Sequence, residues 1–332
     1  MITTPIRIGI VGTNFVSDWL AEAVAALDFV KTTAVYSRKQ QTGDAFAAKH
    51  GIRNVFCDYE AFLCSDQIDA VYIASPNFMH CSQAVAALEH KKHVLCEKVI
   101  ATNEREFGEM MTAAKRNECV LLEAMRPSHD PCTALIKKHL SKLGKLRRAV
   151  FDYCQYSSRY DRFLSGEVLN AFDPTLSNAA VMDIGVYVVH MAAKLFGEPQ
   201  GIVSVSTKLS NGFEGAGHVI LDYGDMKAEL SYSKICDTVT PNVLMGERGS
   251  LLFEKISAPR NVRILYRDGS LEKIAYEPID NNMIYEVQQF AKLIRDRDYD
   301  HCFLQDSLIE MKILDEIRRQ NGICFPSDEP KN

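Results

Sequence analysis

The fold is decided by Ile6-Arg-Ile-Gly-Ile-Val-Gly-Thr-Asn-Phe15, in which a β-branched apolar run ends at a glycine turn. Apolar residues then recur at helical spacing from Phe15 to Val24. This order predicts a buried strand, a turn and a helix, which is the context that a phosphate-binding loop requires. Glycines let the backbone approach a pyrophosphate, and the helix N-terminus offers it unpaired N–H groups and partial positive charge. Two glycines at a strand end are also common in ordinary tight turns.

The glycine fingerprint itself is incomplete. The chain reads Gly9-Ile-Val-Gly12-Thr13-Asn14, so Asn14 stands where a third glycine is expected. Asparagine adopts positive φ more readily than most residues, so we expect the turn to survive. The Asn14 side chain is expected to occupy space near the phosphates.

Strand-like and helical patterns alternate through the rest of the first 124 residues. The strands are predicted at 32–36, 54–56, 69–74, 92–96 and 119–124, and the helices at 41–50, 58–64, 81–89 and 103–117. Repeated units of this length predict an α/β fold with a doubly wound parallel sheet. Ligands bind such sheets at the carboxyl ends of the strands. The candidate cofactor contacts are therefore Gly9, Gly12, Thr13, Asn14, Phe15, Ser37, Arg38, Ser75, Asn77, His80, Glu97 and Lys98.

The end of the second strand bears on the choice of cofactor. NAD-binding folds tend to place Asp or Glu there to accept a hydrogen bond from the ribose 2′-hydroxyl, whereas this chain has Ser37 and Arg38. A hydroxyl and a cation suit a 2′-phosphate, so we favour NADP over NAD. The alternative is that Arg38 is simply a solvated residue at a strand end.

Two candidates carry side chains that exchange protons. Lys98 follows the strand that ends at Cys96, and partial burial beside a nicotinamide would lower its pKa and fit it for acid–base work. His80 either takes part in chemistry directly or caps the next helix at the surface, and we favour the cap.

Composition narrows the class of protein. The 332 residues are 47% hydrophobic with a net charge of -5, and the basic residues are scattered, which argues against a nucleic-acid partner. We expect no secretion leader and no membrane span. The ten cysteines are irregularly spaced without a Cys-x-x-Cys pair, which favours reduced thiols in a cytoplasmic protein over disulfides or a metal site.

From residue 125 the pattern changes. Closely spaced strands between 202 and 276 predict an open, mainly antiparallel sheet, and helices are predicted at 283–296 and 303–321. We place all of 125–332 in one α+β domain that binds substrate and mediates dimerisation. The sheet face predicted to meet a second subunit carries Val219, Leu221, Leu230 and Tyr232. The segment 159–170 is either a pocket rim or a surface loop.

Together these residues resemble the Gfo/Idh/MocA oxidoreductase family over nearly the whole chain. The resemblance rests on Gly9-Ile-Val-Gly-Thr13, Ile73-Ala-Ser-Pro-Asn77 with His80, Cys96-Glu-Lys98, Asp183-Ile-Gly-Val-Tyr187, and a tail of Asp306-Ser-Leu and Leu314-Asp-Glu-Ile-Arg-Arg. It implies an N-terminal Rossmann domain over 1–124 and a homodimer formed through the C-terminal sheet.

The resemblance also implies catalytic roles. Lys98 matches the catalytic lysine of the family, and Asp183 and Tyr187 match its Asp-x-Gly-x-His/Tyr segment. His190 is a further candidate, because positions 183, 187 and 190 share one face of a helix. Taken without the resemblance, these three residues indicate the polar stripe of a helix at a domain interface.

The implied activity is hydride transfer between NAD(P) and a secondary alcohol or carbonyl of a sugar, polyol or cyclic diol. Two departures from the family pattern are Val99 in place of proline and the run 177–180 in place of a glycine-rich segment. Asn14 and Val99 keep an alternative open, a dinucleotide-binding sensor or regulator with little turnover.

Overall fold

A computed structural model describes residues 4–329 and divides into two compact units. The first unit runs to Met125 and also includes Asp280–Gln305. The second contains Arg126–Ile279 and the segment from Asp306 onward. The sequence prediction had assigned both C-terminal helices to the second domain, and the structure differs because the helix Met283–Asp296 packs into the core of the first unit.

The first unit is built around a six-stranded parallel sheet, as predicted. Its strands are β1 Ile6–Val11, β2 Val30–Tyr36, β3 Asn54–Phe56, β4 Ala70–Ile73, β5 His93–Glu97 and β6 Leu121–Ala124. Its helices are α1 Phe15–Ala25, α2 Gln40–His50, α3 Tyr59–Leu63, α4 Asn77–Glu89 and α5 Glu104–Asn117. The strand order β3-β2-β1-β4-β5-β6 reverses between β1 and β4, and this switch point is where doubly wound sheets bind dinucleotides.

The second unit begins with two helices and then builds a larger sheet. Between residues 126 and 196 its elements are α6 Arg126–His129, α7 Pro131–His139, β7 Leu146–Cys154, α8 Tyr160–Leu164 and α9 Val186–Phe196. The remaining strands are β8 Gly201–Lys208, β9 Glu214–Asp222, β10 Lys227–Ser233, β11 Asn242–Gly246, β12 Gly249–Glu254, β13 Arg260–Tyr266 and β14 Leu271–Lys273. The chain ends with α10 Met283–Asp296, which belongs to the first unit, and α11 Cys302–Asn321.

The eight-stranded sheet has the order β14-β13-β12-β11-β7-β10-β9-β8 and is antiparallel except between β7 and β10. The prediction of an open, mainly antiparallel sheet is therefore confirmed. The prediction of its outer face is wrong, because Val219, Leu221, Leu230 and Tyr232 are all buried within the chain. The opposite face carries exposed apolar residues that include Val203, Val205 and Ile220, so the alternation was read with the two faces exchanged.

Within residues 4–329, no helix combines the length and the apolar character needed to cross a bilayer.

Candidate functional site

The turn after β1 is shaped by Gly12. Its φ is +101°, and a Cβ built there would lie 2.9 Å from the carbonyl oxygen of Ala74, so a side chain is excluded both by backbone conformation and by space. Gly9, by contrast, lies inside β1, where a Cβ would meet the ring of Phe62 at 2.5 Å. Gly12 thus shapes the turn, and Gly9 allows a helix to pack on the sheet.

Asn14 is the N-cap of α1. Its φ is -84°, so the positive φ expected for the missing glycine is not adopted here. The side-chain oxygen accepts hydrogen bonds from the backbone N–H groups of Val16 and Ser17, and Nδ2 donates to the carbonyl of Ala74 at 2.8 Å. Because its amide is turned toward the helix and β4, Asn14 ties the turn to the neighbouring strand.

A pocket of about 370 Å³ opens at this turn. Its lining comes from the carboxyl ends of β1, β2 and β4, the turns that follow them, and the helices α2 and α4: Val11, Gly12, Thr13, Asn14, Tyr36, Ser37, Arg38, Lys39, Thr42, Ala74, Ser75, Pro76, Met79 and Gln83. The pocket combines the turn at Gly12, which carries no side chain, with the N-terminus of α1 and the exposed cations Arg38 and Lys39. These hydrogen-bond donors fit the phosphates of a dinucleotide.

The β2 end of the pocket is held by Ser37. Its hydroxyl lies 2.7 Å from that of Thr42 and 3.0 Å from the carbonyl of Lys39, so it fixes the turn into α2. Arg38 and Lys39 leave this fixed turn as exposed side chains on the pocket wall. The positive charge that the sequence analysis noted at Arg38 is therefore joined in the pocket wall by that of Lys39.

The described lining contains half of the predicted cofactor contacts. It brings together Gly12, Thr13, Asn14, Ser37, Arg38 and Ser75, but does not include Gly9, Phe15, Asn77, His80, Glu97 or Lys98. Phe15 is 58% exposed and packs edge-on against Trp19 instead. Gln83 was missed by the sequence reasoning, and the structure shows its Oε1 accepting a hydrogen bond from Ser75 at 2.6 Å.

Lys98 is half-buried at the carboxyl end of β5, on a loop fastened to both neighbouring strands. On one side the Tyr72 hydroxyl donates to Glu97 at 2.5 Å. On the other side the N–H of Ile100 donates to Glu123 at 3.1 Å. The peptide bond between Lys98 and Val99 is cis. Because β5 runs parallel to β4 and ends at Glu97, Lys98 lies on the same edge of the parallel sheet as the pocket.

His80 is neither the surface cap that we favoured nor a solvent-facing group. It is 0% exposed, and its ring nitrogens lie 2.8 Å from two backbone carbonyls, Nε2 from that of Ser75 and Nδ1 from that of Val99. Burial lowers its pKa, although both carbonyls favour the protonated ring. The imidazole thus joins the end of β4 to the loop that carries Lys98.

In the second unit, Asp183 lies on a π-helical turn, Val181–Gly185, that leads into α9. The sequence predicted an ordinary helix from Asp183 onward, whereas α9 begins at Val186. Gly185 packs closely against β10, because a Cβ there would lie 2.9 Å from the Tyr232 ring. The carboxylate of Asp183 forms a 2.8 Å ion pair with Lys234, a residue that sequence reasoning missed.

The same turn is supported by a buried carboxyl group. Glu214 accepts hydrogen bonds from the N–H of Val181 at 2.8 Å and from the Tyr232 hydroxyl at 2.7 Å. Burial raises the pKa of Glu214 from 4.5 to about 7. The turn that presents Asp183 is therefore braced by β9 and β10.

Tyr187 and His190 have partners of their own. The Tyr187 ring packs against that of Tyr153 on β7, with centroids 5.5 Å apart. His190 is buried, and its Nδ1 lies 2.6 Å from a carboxylate oxygen of Glu310 on α11. Burial lowers the pKa of His190 well below its ordinary value. The three predicted catalytic residues of this segment thus contact three different elements.

The first part of the chain matches a known family of proteins. Residues 6–125 match the family described as "Oxidoreductase family, NAD-binding Rossmann fold". Over 326 residues the chain is 45% identical to scyllo-inositol 2-dehydrogenase (NADP(+)) IolU of Bacillus subtilis, covering 98% of this chain and 99% of that protein. It is 25% identical to trans-1,2-dihydrobenzene-1,2-diol dehydrogenase of Oryctolagus cuniculus, covering 90% and 93% of the two chains.

Solved structures share the fold. KijD10, a 3-ketoreductase from Actinomadura kijaniata solved with NADP and TDP-benzene, superimposes with a TM-score of 0.86 at 22% identity, over 96% of this chain and 98% of that one. With the family match, the identity to IolU and the Gly12 turn in one chain, the protein belongs to the Gfo/Idh/MocA family of NAD(P)-dependent oxidoreductases.

Proposed function

We propose that this enzyme transfers a hydride between NADP and a secondary alcohol or carbonyl of a small neutral polyol, with inositols as the first substrates to test. The proposal rests on the pocket beside Gly12 and Arg38, which opens on the sheet edge that carries Lys98. The 45% identity to an NADP-dependent inositol dehydrogenase supports it. When bound, the cofactor accepts or donates the hydride.

Lys98 is proposed to exchange the hydroxyl proton of the substrate. Oxidation of a secondary alcohol needs a group that takes this proton and stabilises alkoxide-like charge, and an ammonium–amine couple does both. The contacts from Glu97 to Tyr72 and from Val99 to His80 hold the loop on either side of this lysine.

The second unit is proposed to supply the groups that hold the substrate. Asp183 presents a carboxylate with 36% of its side chain exposed, which accepts hydrogen bonds from neutral hydroxyl groups and disfavours anionic substrates. Tyr187 is proposed to bind the reacting oxygen. His190 is proposed to position α9 through Glu310, because its buried ring is engaged there.

The test is a redox screen of the purified protein with NADP and with NAD against inositols, sugars and dihydrodiols, following cofactor absorbance. Lys98→Ala is expected to lower kcat about 10²–10⁴-fold, the usual cost of losing a general acid or base. Lys115→Ala, an exposed lysine on α5, is the matched control. Tight NADP binding without turnover on any substrate would favour the sensor alternative, and an unchanged Lys98→Ala rate would remove the catalytic assignment.

Assembly and location complete the proposal. We propose a homodimer formed through the outer face of the eight-stranded sheet, where Val203, Val205 and Ile220 are exposed. We also propose a reducing, cytoplasmic environment, which suits the cysteines of residues 4–329, since all of them are free thiols and several are exposed. The expected lack of a nucleic-acid or membrane partner stays a prediction.

A further inference from the structure

Lys234 is a charged group whose side chain is almost wholly inside the protein. Its side chain is 4% exposed, whereas that of its ion-pair partner Asp183 is 36% exposed. Burying an ammonium group costs free energy unless it is paired and hydrogen-bonded, so such a residue is retained only where its surroundings compensate it. The asymmetry means that the cation lies behind the carboxylate and the carboxylate lies nearer to solvent.

The surroundings of the ammonium group are built for a cation. Nζ donates a hydrogen bond to the carbonyl of Ala171 and forms the 2.8 Å ion pair with Asp183. It also lies 4.8 Å from the ring centroid of Phe172 and 5.1 Å from that of Phe213. Aromatic faces at such distances attract a cation electrostatically. A carbonyl, a carboxylate and two rings thus fix the position of Nζ.

The backbone of Lys234 is fixed as well. Its N–H donates to the carbonyl of Gly215 at 2.8 Å, and its carbonyl accepts from the N–H of Ser157 at 2.9 Å. These bonds attach the residue to the start of β9 and to the segment after β7. The rings above it belong to a small aromatic core of Phe163, Phe172 and Phe213. The segment 159–170, left open in the sequence as rim or loop, contributes Phe163 to this aromatic core and leads directly into Ala171 and Phe172, which contact the lysine.

We propose that Lys234 is a positioning residue for substrate binding: it holds the Asp183 carboxylate, from behind, in the orientation that accepts a hydroxyl hydrogen bond from a neutral polyol. The inference rests on the proposed function, since Asp183 is the proposed substrate ligand. A buried ion pair is weak evidence for stability, because apolar replacements are often neutral. The buried Lys234 therefore serves to orient the Asp183 carboxylate, of which 36% of the side chain is exposed.

The experiment is a double-mutant cycle on the full-length enzyme with the best substrate of the redox screen. Lys234→Met keeps the length and the apolar stem of the side chain and removes its charge, and Asp183→Asn removes the charge of the partner. Each single change is expected to raise KM roughly 10- to 150-fold, the equivalent of one charge-assisted hydrogen bond. Because Lys234 acts through Asp183, the double variant is expected to cost no more than Asp183→Asn alone.

The Kd for NADP is expected to stay unchanged in all three variants, because the pocket beside Gly12 consists of residues of the first unit. The control is Lys312→Met, which removes the ion pair with Glu198 elsewhere in the second unit. Lys234→Arg, which restores the charge, is expected to recover part of the loss in KM and so to separate charge from folding.

The outcomes separate the two proposals. A raised KM in Asp183→Asn with an unchanged KM in Lys234→Met overturns the role of Lys234 and leaves the proposed function standing. Fully additive losses, or a lower Tm of Lys234→Met without any change in KM, also overturn it. Absence of turnover by the unaltered enzyme on the whole panel overturns the proposed function and this inference together.

Discussion

At the scale of single residues, Arg38 is expected to determine the choice of cofactor. Its side chain is exposed on the pocket wall, and it directly follows Ser37, whose hydroxyl contacts that of Thr42 and fixes the turn. A charge-assisted bond to a 2′-phosphate contributes about 1.5–3 kcal/mol. Arg38→Asp is therefore expected to weaken NADPH binding roughly 10- to 150-fold, with little change for NADH, as measured by fluorescence titration. Arg53→Asp, an exposed arginine outside the pocket lining, is the control, and equal losses for both cofactors would contradict the assignment.

His80 is expected to matter to both stability and rate. Its ring contacts the carbonyls of Ser75 and Val99, and both carbonyls lose a partner in His80→Ala. A buried polar group left unpaired costs about 1–3 kcal/mol, so the free energy of unfolding in urea is expected to fall by that order. The rate is expected to fall as well, since Val99 directly follows Lys98. His139→Ala, which removes a contact within one helix, is the control.

A rate for His80→Ala equal to that of the unaltered enzyme, with lowered stability, would confine His80 to folding.

The residues whose positions were predictable are those at the strand ends of strand–turn–helix units. Gly12, Arg38 and Lys98 follow directly from where strands end, and strand ends are visible as apolar runs. Lys234 was not predictable, because its partners Asp183, Phe172 and Phe213 lie far from it in sequence. From the sequence alone, a lysine directly after a strand is expected to be exposed to solvent, and only the tertiary structure shows that Lys234 is buried.

At the scale of elements, the π-helical turn Val181–Gly185 is expected to make stability depend on pH. Burial raises the pKa of Glu214, which supports this turn, from 4.5 to about 7. A carboxyl group with a raised pKa binds its proton more tightly in the folded state, so its contribution to stability is complete below pH 4.5 and is lost as the pH rises through 7.

Urea unfolding between pH 4.5 and 8 tests this dependence. The unaltered protein is expected to lose about 1–3 kcal/mol more than Glu214→Gln over that range. Glu229→Gln is the matched control, because pairing with Arg148 lowers the pKa of Glu229, which is the opposite direction to the shift of Glu214. Parallel curves for the unaltered protein and Glu214→Gln would show that the pKa of Glu214 is the same in the folded and the unfolded state.

Element boundaries show where local sequence stops deciding structure. The helix predicted over 103–117 begins where expected, since the Asn103 side chain caps α5 by accepting a hydrogen bond from the N–H of Glu106. Asn14 caps α1 in the same way, whereas the glycine fingerprint had led us to expect a glycine-like turn with positive φ there. The π-helical turn left no signal except Gly185, because its form is set by Glu214 and Tyr232 from other strands.

At the scale of the whole molecule, both sheet types followed from the change of pattern near residue 125. The placement of α10 did not. Its buried face of Met283, Val287, Phe290, Ala291 and Leu293 is an ordinary amphipathic stripe that fits any apolar surface. Its packing with the first unit depends on the path of the chain, which periodicity does not encode.

The outer face of the eight-stranded sheet is where assembly is expected to be decided. Val203 and Val205 on the edge strand β8 are 64% and 63% exposed, and Ile220 on β9 is 47% exposed. Together with His218 and Ser231 they border a hollow of about 390 Å³. Adjacent exposed apolar side chains on one sheet face are typical of a protein contact surface, and a two-fold interface places the same patch of each copy against the other.

The double variant Val203→Lys/Val205→Lys brings four ammonium groups into such an interface, since both copies carry the change. Like charges in a desolvated contact repel strongly, so sedimentation velocity is expected to show a dimer for the unaltered protein and a monomer for the variant. Val239→Lys, at a fully exposed valine outside this face, is expected to leave the dimer intact. A variant that remains dimeric would move the interface away from β8, and the apolar residues of this face would then need a different partner.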